Sequence, residues 1–329
     1  MSKSLSKIEF FNGYFELLET RGIASVILHT YEAYPEHIHS DVDYCVSDDD
    51  LPGIVPLVLE YCRASGWRLV QIMQHESKAY FCICVSKQDP SEYIELDVCS
   101  DYMREGKILI AAETLLANRR PYGQTSFHIP SLGAEFCYRL WKSVAKRKPL
   151  KEMRAQLDGL YELGSEECSH AMIDLNIIDR DSSSTSWEKQ SDEIFESLQH
   201  RYDQMPVSSR KGQWQKFIRR VIQPSGLLVF LPTGLGGQEK EALAKRCGHA
   251  FRKTEISNAP DSFIRTWSRV LRSTLVLCDV GGSKQRLLGI VANGFDAGLK
   301  FSEHTSQKEM VSDVFQYLET RLVKRWHLK

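Results

Sequence analysis

SDVDYCV (40–46), read together with YIELDV (93–98), decides how this chain is organised. In the first stretch polar and apolar residues alternate as on a half-buried strand, so Asp41 and Asp43 project from one face with their oxygens close together. Two carboxylates held that way repel and one pKa rises, whereas a hard divalent cation such as Mg²⁺ turns the pair into a shared site. Asp97 in the second stretch adds a third acid on a strand able to pair beside the first, and Glu95 on the same face is the alternative third ligand. Three converging acids suit in-line phosphoryl or nucleotidyl transfer. The opposing reading is an edge strand carrying a solvated carboxylate pair.

Working outward, residues 5–22 place Ile8, Phe11, Tyr14, Phe15 and Leu18 at helical spacing, closed by Arg21 and Gly22. ASVIL (24–28) reads as a strand, residues 51–65 as a helix closed at Gly66, and AYFCICV (79–85) and YIELDV as two further strands. The expected order is therefore α, β, β, α, β, β. Residues 107–163 read as mainly helical, with aromatics and lysines on opposite faces of LGAEFCYRLWKSVAK (132–146). DRDSSSTS (179–186) lacks apolar periodicity and marks the boundary. Beyond it, PSGLLVFL (224–231) runs as a strand into GLGG (234–237) and then a helix, the start of a phosphate-binding βα unit. TLVLCD (274–279) is a neighbouring strand ending in Asp279, and VSDVFQYLETRLVKRW (311–326) is an amphipathic helix.

The predicted class is α/β. An α+β domain with a helical subdomain fills 1–178, a linker and helical segment 179–222, and a smaller α/β domain 223–329. A chain of 329 residues fits two domains, and 42% hydrophobic with 26% charged residues is ordinary globular composition. The net charge of −1 supplies no field to gather nucleic acid, so any polyanion site is local. The nine cysteines show no CxxC pair and read as reduced thiols, Cys82 and Cys84 as small buried hydrophobes on one strand face. No apolar run reaches the length of a membrane span, and a cytoplasmic protein is expected. SSRKGQWQKFIRR (208–220) mixes basic residues with Trp214 and Phe217 and is taken as a solvated helix over the domain junction, with nucleic acid, an anionic glycan or a membrane surface as the alternative.

The stretch VILHTYEAYPEHIHSDVDYCV (26–46) resembles the metal-binding start of the polymerase-β-type nucleotidyltransferase superfamily. It is most similar to a group found with bacterial surface-polysaccharide genes, and the likeness continues through DYMREG (101–106) and IPSLGAEFCYRLWK (129–142). The resemblance implies Asp41, Asp43 and Asp97 as catalytic metal ligands for Mg²⁺ or Mn²⁺, and Ser40 as a nucleotide contact. It further implies a nucleoside triphosphate donor and a sugar or protein acceptor. Active members place a Gly-Gly or Gly-Ser pair about ten residues before the two acids, where backbone approaches the triphosphate; here His29 and Thr30 stand there. His37 and His39 alternate toward Asp41 and are read as polar loop residues, with metal binding or base chemistry as the alternative.

The same group joins this half to a thymidylate-kinase-like half, which FLPTGLGGQEKE (230–241) resembles through Gly234, Gly236 and Gly237 as nucleotide-binding positions. In that alignment Gly237 takes the place of the phosphate-loop lysine, and Gln238 and Glu239 take the hydroxyl positions. Lys240 is flanked by Glu239 and Glu241, which repel phosphate. The half reads as a degenerate phosphate loop, and GGSK (281–284) as a turn.

The leading expectation is a metal-dependent nucleotidyl- or phosphoryl-transferase-like protein of bacterial exopolysaccharide or capsule production. The alternative is a non-catalytic nucleotide-binding or scaffold protein that associates with polysaccharide biosynthesis enzymes. The neutral charge balance disfavours a nucleic-acid-modifying transferase.

Overall fold

A computed structural model describes residues 4–178, 187–207, 225–232, 235–257, 263–271, 274–279, 292, 297–302 and 305–327. The segments 179–186, 208–220 and 281–284, and Gly234, lie outside the described residues.

Helix α1 (Lys7–Thr20) begins with a reciprocal cap: the Ser6 hydroxyl accepts from the Glu9 N–H and the Glu9 carboxylate accepts from the Ser6 N–H at 2.8 Å. It buries Phe10, Phe11, Tyr14, Phe15 and Leu18. Ile8, expected on that face, is instead 43% exposed. Two residues before Phe10, it lies about 200° round the helix from it.

The first sheet contains β1 (Ser25–Ile27), β2 (Val42–Val46), β3 (Trp67–Glu76), β4 (Ala79–Ser86) and β5 (Tyr93–Cys99), in the order β1-β2-β5-β4-β3. β2 and β5 run parallel and the other pairs antiparallel. Helix α2 (Leu51–Ser65) connects β2 to β3 and stops at Gly66, whose φ of +77° is left-handed and whose Cβ position is 2.7 Å from Ser4 Cα.

Strand β3 is absent from the order expected from sequence, and packing explains why. Trp67, Leu69 and Ile72 enter the core under α1 and α2, while Val70 enters a second core on the other side. Two register shifts against β4 interrupt the alternation further. A strand buried on both faces carries no period-two signal.

Residues 107–131 are less helical than expected. β6 (Tyr102–Arg104) and β7 (Lys107–Ile110) form a hairpin, followed by α3 (Ala112–Leu116) and the short pair β8 (Arg120–Pro121) and β9 (His128–Ile129). Long helices start with α4 (Leu132–Ala145), then α5 (Leu150–Leu163), α6 (Ser165–Asp174) and α7 (Trp187–Gln204). α7 comes after the expected boundary, yet its Trp187, Phe195 and Leu198 share a core with Phe136, Leu140 and Trp141 of α4.

The second sheet is all parallel, in the order β11-β12-β10-β13, from β10 (Leu227–Leu231), β11 (Lys253–Ser257), β12 (Thr274–Asp279) and β13 (Gly298–Lys300). Helices α8 (Gly237–Cys247), α9 (Phe263–Leu271) and α10 (Gln307–Trp326) accompany it. The molecule is thus α/β, as the sequence predicts. Its two halves are joined by one apolar cluster in which Val70, Ile83 and Val85 of the first sheet meet Val229, Leu231 and Leu277 of the second and Phe315 of α10. Arg321 of α10 donates to the Gly226 carbonyl at 2.8 Å, and Gln71 of β3 donates to the Ser225 carbonyl at 2.7 Å. Among the described residues no helix is long and apolar enough to cross a membrane.

Candidate metal centre

On β2, Val42, Tyr44 and Val46 turn into the core beneath α1 and α2, which leaves Asp41, Asp43 and Cys45 on the opposite face. On β5, Ile94, Leu96 and Val98 face the same core and leave Glu95 and Asp97 beside those acids. Because β2 and β5 pair in parallel with Asp43 opposite Asp97, those two acids meet side by side, and Asp41 stands immediately ahead of β2. One oxygen each from Asp41, Asp43 and Asp97 lies within 4.8 Å of the others. Glu95 is outside that group, and burial followed by the Asp41 charge raises its pKa.

These three acids line a cleft of about 280 Å³, with His29, His75, Arg104, Lys142 and Lys146 among the other lining residues. His29 follows β1, and its Nε2 contacts both Asp43 Oδ2 and Lys142 Nζ. Lys142 descends from α4 and donates to Asp43 Oδ2 at 3.3 Å and to the Tyr138 hydroxyl, one turn earlier, at 3.0 Å. The Tyr138 ring also stacks under His29 at 6.0 Å. From β3, His75 Nε2 lies 3.5 Å from Asp97 Oδ1.

The electrostatics of the three acids differ. Burial opposes ionisation of Asp43, but the His29 hydrogen bond and the Lys142 charge outweigh it and bring its pKa down to about 2. Burial, then the charges of Asp43 and Asp41, push Asp97 well above the usual carboxylate range. Burial also lowers Lys142, with Asp43 acting in the opposite sense. Full charges about 4 Å apart repel by about 4 kcal/mol at an effective dielectric near 20, and a cation between them removes that cost. The clustered carboxylate oxygens are hard donors and fit Mg²⁺ or Mn²⁺, which Asp41, Asp43 and Asp97 would hold.

No family model matches the chain, and neither does any curated protein or solved structure.

Of the residues singled out in the sequence, the structure brings Asp41, Asp43 and Asp97 together with His29 beside them. Ser40 is exposed, and its hydroxyl donates to the Asp41 carbonyl at 3.4 Å instead of lining the cleft. His37 and His39 are exposed and stack on one another at 5.7 Å, outside the acid group. Cys82 and Cys84 are buried in the first core. Gly236 and Gly237 belong to the second half, at the start of α8, where the Gly236 N–H donates to the Glu239 carboxylate at 2.8 Å. An N–H that would meet a phosphate is therefore satisfied by the protein's own anion. Lys240 is buried, and Asp279 is the last residue of β12.

Sequence reasoning quotes Lys142 within the helical stretch without assigning it a role, treats His29 only as a replaced glycine, and misses His75. A basic residue on the polar face of an aromatic-rich helix is the signal that was available for Lys142. His75 had none, because its strand shows no alternation.

Proposed function

We propose that this chain is a divalent-metal-dependent nucleotidyl- or phosphoryl-transfer protein with its metal seat at Asp41, Asp43 and Asp97. One observation carries the reading: neighbouring parallel strands bring three carboxylate oxygens within 4.8 Å of one another on the wall of a cleft that Lys142, Lys146 and Arg104 also line. A bound cation supplies charge stabilisation at phosphorus-bound oxygens. The chain's own residues do the rest. Lys142, Lys146 and Arg104 attract and orient an anionic donor, and buried Tyr138 closes the cleft behind Lys142 against water. Asp97, whose Oδ1 lies 3.5 Å from His75 Nε2 on the cleft wall, is placed to accept a proton from the acceptor hydroxyl of a sugar or protein. The nucleotidyltransferase assignment and a place in bacterial exopolysaccharide or capsule production are supported by the resemblance of residues 26–46, 101–106 and 129–142.

A second reading, a non-catalytic nucleotide-binding or scaffold protein, is favoured by two observations. His29 fills the position where glycine would admit a triphosphate, and Glu239 occupies the Gly236 N–H in the other half. Calorimetry with Mg²⁺ or Mn²⁺ and each nucleoside triphosphate separates the two. The transfer reading expects metal-dependent nucleotide binding that weakens at least about tenfold when Asp41→Asn and Asp43→Asn are combined. Wild-type protein that binds no nucleotide in the presence of metal sinks it and leaves the scaffold reading.

A further inference from the structure

We infer that the cleft takes one divalent cation per chain and that the Lys142 ammonium stands on Asp43 in place of a second. This rests on the metal reading above and narrows it.

The Lys142 ammonium lies 3.3 Å from Asp43 Oδ2, on the carboxylate that a second ion would have to share with the first. Sites that hold two such ions keep them about 3.5–4 Å apart, bridged by a shared carboxylate. A cation coordinated by Asp43 Oδ2 would need to approach to about 2.0–2.1 Å. Lys142 Nζ and His29 Nε2 both crowd that oxygen, so a cation bound there would have to displace them.

The ammonium is also built in. Lys142 sits one helical turn beyond Tyr138, to whose hydroxyl it donates at 3.0 Å, and Tyr138 is itself buried. His29 stacks on the same ring, so one tyrosine steadies both groups that face Asp43 Oδ2. A glycine at 29 would leave that side of Asp43 open; the imidazole closes it. Both groups that crowd Asp43 Oδ2 thus come from positions that packing holds in place.

The test counts bound Mn²⁺ on the full-length chain by equilibrium dialysis and electron paramagnetic resonance, without nucleotide, so the readout is binding and not turnover. Wild type is expected to hold one Mn²⁺. Lys142→Met, which keeps the length and removes the charge, is expected to gain a second Mn²⁺ and to bind the first at least tenfold tighter, whereas Lys142→Arg stays at one. Circular dichroism checks that each variant folds, and Lys142→Gln serves in its place if Lys142→Met does not fold. Two Mn²⁺ in wild type overturn the inference and leave the metal reading standing. One Mn²⁺ with unchanged number and affinity in Lys142→Met, or in Lys142→Gln where that variant has to serve, also overturns it. Wild type that binds none overturns the metal reading itself.

Discussion

His249 lies between the rings of Tyr93, at 4.3 Å and 11°, and Phe315, at 5.4 Å and 28°, where the two halves of the molecule meet. Its Nε2 is buried with no hydrogen-bond partner among the described residues, and burial lowers its pKa to about 4. The unfolded chain takes up a proton near pH 6.5, but the folded chain does not until about pH 4. Stability is therefore unaffected by this group above pH 6.5 and is lost as the pH falls from there toward 4, by about 3 kcal/mol in total. Urea melts at pH 7 and pH 4.5 should show that His249→Phe, which keeps the ring stack, loses less stability on acidification than wild type; equal losses would refute the assignment. The site residues show the same dependence on surroundings. Asp41 and Asp43 can be read from their two-residue spacing, whereas Lys142 reaches Asp43 from 99 residues away and has no local signature.

Helix α4 owes its position, and so that of Lys142, to a close approach at its first turn. A Cβ added at Gly133 would lie 2.5 Å from the Glu167 carbonyl oxygen and 2.7 Å from Ala171 Cβ on α6, so α6 backbone would have to give way. Gly133→Ala is expected to cost about 1–3 kcal/mol in a denaturant melt, although alanine is the better helix former. A neutral or stabilising result would mean that the two helices separate freely. Elements whose ends carry local chemistry are legible in sequence: α2 runs over the residues expected of it because Gly66 supplies the left-handed residue that ends it. β3 is not, since its Trp67 and Val70 serve different cores and its register shifts break the pattern.

The two halves should unfold together, because the cluster holding Val70, Ile83 and Val85 also holds Val229, Leu277 and Phe315. Phe315 is fully buried there, and Phe315→Ala is expected to cost about 3–5 kcal/mol while calorimetry continues to show one transition. Two transitions, only one of them shifted, would contradict the shared core. Composition and turn chemistry lead to two domains; the contacts of β3 with α10 and with Ser225 join them, through Arg68 facing Glu319 at 3.5 Å and Gln71 donating to the Ser225 carbonyl. From sequence alone come the α/β class and the strands that carry Asp43 and Asp97, with Asp41 just ahead of the first, since backbone period and side-chain alternation are local properties. The parallel pairing that sets Asp43 against Asp97, the meeting of His29 and Lys142 on Asp43, and the joint between the halves were decided in three dimensions. Each of these depends on which distant surfaces pack together, and nearest neighbours in the chain hold no record of that.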